Sequence, residues 1–228
     1  MPGRTVADAA AALLSEPALA GWLVSTDDPN LAARLTKVGA SPKRLAHLMQ
    51  CDLRRHPGET TLAWRQVPLP TEADPRLWQR ILPSWRAAFP EDHPDHFTGD
   101  DAKAIDFILR LVTGREMGPM HRSTTMLVDE DGCVVAGLLV NIRPEEPPWG
   151  GPWISDIWRD PRLRGTGVGQ QLMDHAKRDL LEDDQVSLTL SVTAGNPARR
   201  SYERAGFATI SEVQTLLLPA ERHRSRSS

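Results

Sequence analysis

The residues that most constrain this chain are Arg162-Leu163-Arg164-Gly165-Thr166-Gly167-Val168-Gly169, a glycine-rich turn set between two regular patterns. An apolar run, Trp153-Ile154-Ser155-Asp156-Ile157-Trp158, precedes it, and a helical pattern opens directly after it. A turn of this composition between a strand and a helix bares backbone N–H groups around a small concavity. Those donors, with the positive end of the helix dipole, suit a phosphate or pyrophosphate. Gly167 and Gly169 leave the backbone unobstructed where such a group must approach, because glycine has no Cβ. Arg162 and Arg164 can reach its oxygens with charge-assisted bonds.

Two familiar phosphate loops fail on the letters. A P-loop needs Lys-Ser/Thr after its last glycine, and Gly169 is followed by Gln170-Gln171. The dinucleotide fingerprint needs glycine where Gln170 stands, and an early βαβ unit besides. The helix after the turn, over residues 168–181, carries Val168, Leu172, Met173, Ala176, Leu180 and Leu181 on one face. Asp174, Lys177 and Arg178 fall mostly outside it. Residues 186–193 then alternate Val186, Leu188, Leu190 and Val192 with polar neighbours, the period of a strand. Next comes Asn196, a short helical stretch with Tyr202, and Gly206-Phe207.

Together these two segments resemble the GNAT acetyltransferase superfamily. Arg162, Gly165 and Gly167 stand as Arg-x-x-Gly-x-Gly, like that family's coenzyme A pyrophosphate loop, and 196–207 looks like its second cofactor motif. The resemblance implies an α/β GNAT fold. Its central sheet is mixed and mostly antiparallel with flanking helices, and it is split between the strands on either side of the acetyl-CoA loop helix. Acetyl-CoA is implied as co-substrate, held by backbone groups of Ile157, Trp158 and Arg159, by Arg162, Arg164, Gly165, Thr166, Gly167, Val168 and Gly169, and by Asn196 and Tyr202. Arg159 departs from the family's usual small apolar residue, so side-chain packing must differ there. Arg199 and Arg200 either serve the cofactor's 3′-phosphate or lie solvated.

The implied reaction is N-acetyl transfer from acetyl-CoA to a primary amine of a small molecule, by direct attack in a ternary complex. An amine must lose a proton to attack a thioester carbonyl, and the departing thiolate needs one back. Tyr202, the only tyrosine of 228 residues, falls on the position the family uses as general acid. Asp156 is the candidate base. A period-2 reading puts it on one face with Ile154 and Trp158, opposite Ile157, where desolvation would raise its pKa. A water chain to bulk solvent is the rival base. Two other functions share the resemblance: a non-catalytic acyl-CoA-binding sensor, and a peptide or protein N-acetyltransferase.

The rest of the chain is consistent with one α/β domain and an extra piece. Strands are expected over 61–67, 124–128 and 133–142, the last two joined by a turn at Asp129–Gly132, and helices over 75–89, bent at Pro83, and 101–113, capped by Gly99 or Asp100. The acceptor is expected beside 90–97 and 143–151, acidic loops of which the second adds Trp149 and Trp153. The resemblance covers about residues 61–219, with specific motifs only from Trp153 onward. Residues 28–40 can be laid over the second motif, Gly39 meeting Gly206 and Leu35 meeting Tyr202, with β-like runs at 21–25 and 45–53. The expected organisation is therefore an extension over 1–58, read as a truncated GNAT-like remnant without cofactor, a GNAT domain over 59–219, and a basic flexible tail over 220–228.

A formal charge of −3 gives no general affinity for nucleic acid. Cys51 and Cys133, without repeating spacing, point to a reducing compartment. No stretch is apolar for long enough to span a membrane, and the start makes a poor secretory signal. The expectation is a cytoplasmic monomer or homodimer. His93, Asp95, His96 and His121 lack ligand spacing, so no metal is expected.

Overall fold

The computed structural model describes residues 6–59, 62, 64–67, 75–146 and 148–220. In chain order its elements begin with α1 (Val6–Ser15), β1 (Leu23–Thr26), α2 (Pro29–Lys37), β2 (Ser41–Asp52), β3 (Arg65–Val67), α3 (Pro75–Ala88) and α4 (Asp101–Val112). There follow β4 (Thr125–Val128), β5 (Val134–Arg143), β6 (Gly151–Arg159), α5 (Val168–Glu182), β7 (Ser187–Thr193), α6 (Arg199–Arg204) and β8 (Phe207–Leu217). They fall into two units, one of residues up to Leu48 with those from Thr209 onward, the other Met49–Ala208.

In the first unit β8 lies between β1 and β2. Its pairing with β1 is antiparallel, Leu23 opposite Leu217 and Thr26 opposite Gln214. Helices α1 and α2 close a small core of Ala10, Ala32, Leu35, Ala40, Leu216 and Leu218. Helix α2 starts where Asp28 Oδ1 accepts the Asn30 and Leu31 N–H groups at 2.8 and 3.3 Å.

In the second unit the order runs from the last residues of β2 through β7, β6, β5 and β4 to β3. Strands β3 to β6 pair antiparallel and β6 with β7 parallel, so the sheet is mixed. Both of its faces are covered, which is why β5 reads as a continuous apolar run rather than an alternation. Helix α5 packs Leu172, Met173, Ala176 and Leu180 against Leu138, Val140, Leu188 and Leu190. On the other face α3 and α4 set Trp78, Ile81, Trp85, Ala104 and Ile108 against Met126, Leu139 and Trp158. Gly137 has a steric reason for being glycine: a Cβ there would come within 2.2 Å of the Trp158 ring.

The feature that positions the site is a β-bulge in β6. Leu139 pairs with Asp156 and Val140 with Ile154, leaving Ser155 as an extra residue. Asn141, fully buried, seats it. Its Nδ2 donates to Leu111 O and Gly118 O at 2.9 and 2.7 Å, and its Oδ1 accepts from Ser155 Oγ at 2.5 Å. The bulge resets the alternation, so Ile154 joins the same core as Ile157 while Trp158 belongs to the opposite one. The expected sharing of a face by Ile154 and Asp156 is thus corrected. Immediately before the bulge the parallel ladder stops: β6 and β7 pair only at Trp153/Thr189 and Ile154/Leu190. Beyond that point the strands are split, as the resemblance implied.

Three expectations change at the level of elements. The first strand is Arg65–Val67 rather than 61–67, of which residues 61 and 63 lie outside the described residues. Helix α3, with Pro83 inside it as expected, ends at Ala88 rather than at 89. Asp174 and Lys177, expected outside the buried face of α5, are 4% and 2% exposed. Lys177 Nζ donates to the Ala205 carbonyl and lies over the Phe207 ring, and Gln170 donates to Asp174 at 2.9 Å. This polar pair is buried because each member is satisfied. Asp100 is the cap of α4, its carboxylate accepting Lys103 N–H at 2.9 Å. The basic residues 221–228 lie outside the described residues. Among the described residues no helix is long and apolar enough to cross a membrane, and both cysteines are free, Cys51 buried and Cys133 exposed.

Candidate active site

The glycine loop connects β6 to α5. Asp160 opens it by accepting Arg162 N–H at 2.8 Å, and its two oxygens also take the Arg162 guanidinium at 3.0 and 2.8 Å. Arg162 is therefore held as a tethered arm at the loop's rim. The Thr166 hydroxyl closes the turn onto Leu163 O at 2.8 Å, and the Val168 side chain is buried in the core. What these two residues leave for a ligand is backbone. Gly165 and Gly167 have φ of 83° and 81°, the left-handed region that glycine alone enters without strain. Gly167 caps α5 without a side-chain hydrogen bond. The first N–H groups of that helix have no intrahelical acceptor by geometry, and they point with the positive end of the dipole. Gly169 is the informative case. It is helical, a Cβ there would meet nothing within 4 Å, and so no contact inside the protein requires glycine.

Charge agrees with this geometry. Burial, and then the neighbouring Arg164 guanidinium, lower the pKa of Arg159, so two arginines crowd a site that an anion would relieve. These features fit a pyrophosphate, the group that coenzyme A presents. Among the described residues no three His, Cys, Asp or Glu side chains group as metal ligands do.

The second half of the site lies across the split. Trp85 of α3 donates its indole N–H to Asp156 Oδ2 at 2.8 Å. Burial pushes the Asp156 carboxyl up to about 6, and Asp95 adds to the rise, while hydrogen bonds from Trp85 and the Ile157 N–H oppose it. Tyr202, on α6, packs edge-on against Phe207 with ring centroids 6.2 Å apart. Burial, then the charges of Asp156 and Asp95, hold its phenol well above the usual range. The two expected catalytic groups therefore share one electrostatic environment. At neutral pH one is mostly a carboxylate and the other a phenol.

Against known proteins, the family model described as Acetyltransferase (GNAT) family matches residues 78–207, more than half of the chain. The chain belongs to the acetyltransferase (GNAT) family. Among solved structures it is similar to a Drosophila protein at 14% identity, with a TM-score of 0.59 over 89% of this chain and 62% of that one. It is likewise similar to a GCN5-related N-acetyltransferase from Sphaerobacter thermophilus at 18% identity, with a TM-score of 0.57 over 88% of this chain and 60% of that one. A tandem GNAT protein from the clavulanic acid biosynthesis pathway aligns at 15% identity, with a TM-score of 0.59 over 86% and 60% of the two chains. At these identities the likeness shows the fold, and this chain spans about three fifths of the length of each. None of the curated proteins matches it.

Within this GNAT chain each expected residue has a definite place. The side chains of Ile157 and Trp158 point into opposite cores, and the Trp158 indole donates to Ser84 Oγ at 3.2 Å. Only the backbone of these residues faces the split. Asn196 is buried, with Nδ2 donating to Asp95 Oδ2 at 2.8 Å and Oδ1 accepting Ala198 N–H at 2.8 Å. Arg199 pairs with Glu203 at 3.0 Å along α6. Trp153 is core, with Arg143 stacked 4.6 Å from its ring, rather than a wall of the acceptor mouth.

Three residues of the site escaped the reading of the sequence. Trp85 looked like one more apolar residue of an amphipathic helix. Thr193, which donates to Asp95 Oδ1, ended an ordinary alternating strand. Asp95 lay in a charged loop read as the acceptor's approach and set aside as a metal ligand. Trp85 shares its buried helix face with Trp78, and no local signal separates the two.

Proposed function

We propose that this protein is an acetyl-CoA-dependent N-acetyltransferase acting on a primary amine, carried by a small molecule, through direct attack in a ternary complex. The observation that carries the reading is the electrostatic coupling of Asp156 to Tyr202, with the open loop at Gly165–Gly169 following the strand of Asp156. When bound, acetyl-CoA supplies the acetyl thioester and a thiol leaving group. Loop N–H groups, with Arg164 and Arg159, hold the pyrophosphate, and the unpaired edge of β6 past Ile154 holds the arm. Asp156, its pKa raised to about 6, takes the proton of the attacking amine. Tyr202 keeps its proton at neutral pH and returns it to sulfur. The adjoining Asp95 makes the approach anionic, which favours an amine arriving as ammonium. That extra proton goes to water before attack, and Asp156 takes the one lost on forming the amide.

The same reading covers the N-terminal residues, taken as a truncated copy of the motif at 196–207. Supporting it, α2 is entered through Asp28 and left through Gly39 at φ 102°, as α6 is entered through Asn196 and left through Gly206 at φ 90°.

Thermal unfolding with acetyl-CoA tests the cofactor. At about 100 times Kd a native-state ligand adds roughly 2.7 kcal/mol, a shift of several degrees. A shift with acetyl-CoA but with neither ATP nor NAD supports the loop assignment, and its absence removes it. Thiol release with free amines set against N-terminal peptides then tests the acceptor. Turnover of peptides alone would move the reading to a protein modifier, and binding without any turnover to a sensor.

A further inference from the structure

We propose that Asp95 is a positioning residue for the transfer: from the loop between α3 and α4 it fastens the end of β7 and the start of α6, and so sets where Tyr202 stands relative to Asp156. This inference rests on the reading of Tyr202 and Asp156 as acid and base.

The need for such a device follows from the split. The β6–β7 ladder ends at Ile154/Leu190, so the separation of Asp156 from the end of β7 is not set by backbone pairing. Side chains must set it. On one bank, Trp85 of α3 holds Asp156. On the other, Asp95 takes the Thr193 hydroxyl on Oδ1 and the Asn196 amide on Oδ2. Asn196 in turn accepts Ala198 N–H at 2.8 Å, and Ala198 O accepts Tyr202 N–H at 3.1 Å, so a short chain of bonds runs from Asp95 to the tyrosine.

The loop is itself rooted in α3. Phe89, one residue past that helix, meets the His93 ring edge-on at 5.2 Å, and its carbonyl bonds His96 Nδ1 at 2.8 Å. His93 Nδ1 accepts Asp95 N–H at 3.0 Å. One helix thus mounts both halves of the site, the base directly and the acid through Asp95. The aspartate's negative charge also raises both partners, which is why its removal is visible in their titration. The groups acting on Asp156 are Trp85, the Ile157 N–H and Asp95, and those acting on Tyr202 are the two aspartates.

Because Tyr202 is the only tyrosine, a ring-labelled tyrosine gives one NMR signal that reports this place in the full chain without any substrate. In the wild type that signal should titrate with a midpoint near 6, following Asp156. Asp95→Asn should move the midpoint to lower pH and change the signal's position at pH 8. Thr193→Val, which keeps the charge and removes one bond, should change the position and leave the midpoint. With acetyl-CoA and whichever amine the wild type turns over, Asp95→Asn should lower kcat by about ten-fold or more, with KM for acetyl-CoA within about three-fold. An unmoved midpoint and position in Asp95→Asn, or an unchanged kcat, would overturn the role. Wild-type protein that turns over no amine, while the tyrosine signal behaves as described, would sink the transferase reading and leave Asp95's place intact.

Discussion

Two segments of this chain are built alike and differ in one position that matters. Strand β7, α6 and β8 make a strand–helix–strand unit in which an Asn196 turn onto Ala198 N–H precedes the helix and Gly206, left-handed, follows it. Strand β1, α2 and β2 repeat the plan with Asp28 and Gly39. The caps and the glycines follow from backbone rules alone, an Asx side chain for orphan N–H groups and a residue without Cβ for positive φ. Where α6 carries Tyr202, α2 carries Leu35, fully buried among alanines and leucines. The scaffold is thus indifferent to chemistry. What sets the proposed site apart is the pair of aspartates whose charges act on its tyrosine.

The largest effects should separate these two positions. Tyr202→Phe should lower turnover by roughly two to four orders of magnitude while the acetyl-CoA thermal shift stays. Leu35→Ala should do the reverse, destabilising by about 2–5 kcal/mol through a cavity and leaving the kcat of the folded fraction unchanged. If Leu35→Ala altered kcat in folded protein, the N-terminal segment would take part in the reaction rather than in the scaffold alone. Gly169→Glu sharpens the contrast from the cofactor side. The open space there and the ordinary helical backbone leave folding undisturbed. The new carboxylate against the pyrophosphate should abolish the acetyl-CoA shift, and a shift of normal size would take the loop out of the site.

Asp156 gives the next effect, and its sign is fixed by linkage. Its folded value of about 6 lies above the ordinary 3.8, so the native state binds that proton more tightly than the unfolded chain. The associated stability is full below about 3.8 and is lost as pH rises through about 6. At pH 7 the buried carboxylate therefore costs up to about 3 kcal/mol, two units of pKa. Asp156→Asn, which keeps an oxygen for the Trp85 indole, should unfold at higher temperature than the wild type at pH 7 and at no higher temperature at pH 4. The same variant should lose turnover, and wild-type log kcat should rise with pH to a plateau above about 6. A wild-type profile flat from pH 5 to 8 would hand the base's part to water.

How much of this was legible in the letters depends on the range of the interaction. Helices α4 and α5, the glycine loop and the Asn196–Phe207 motif were readable because caps, periods and left-handed glycines act within a few residues. The Ser155 bulge was not. It depends on Asn141 of another strand and on the Leu111 and Gly118 carbonyls, and it turned Ile154 away from Asp156. Lys177 looked solvated because nothing local announces the Ala205 carbonyl that satisfies it. Asp95 belongs to the same class: a loop carboxylate whose partners lie about a hundred residues on. The position of β8 between β1 and β2 was equally out of reach, being a pairing of the two ends of the chain.

The smallest effects concern the two Asx residues that precede α2 and α6, and they discriminate best between scaffold and site. Asp28→Ala removes the acceptor of two N–H groups at the start of α2, which costs about 1 kcal/mol of stability. Asn196→Ala removes a turn bond onto the N–H of Ala198, the residue before α6, and should cost about 1 kcal/mol as an ordinary hydrogen bond. Asn196 also donates to Asp95, so its loss leaves a half-buried carboxylate oxygen without that donor and loosens α6 beneath Tyr202. The two variants should therefore melt within a few degrees of one another, while only Asn196→Ala loses turnover and shifts the signal of the single tyrosine. Equal turnover in both would mean that Asn196, like Asp28, serves the scaffold alone, and that the distinction between the two segments rests on Tyr202.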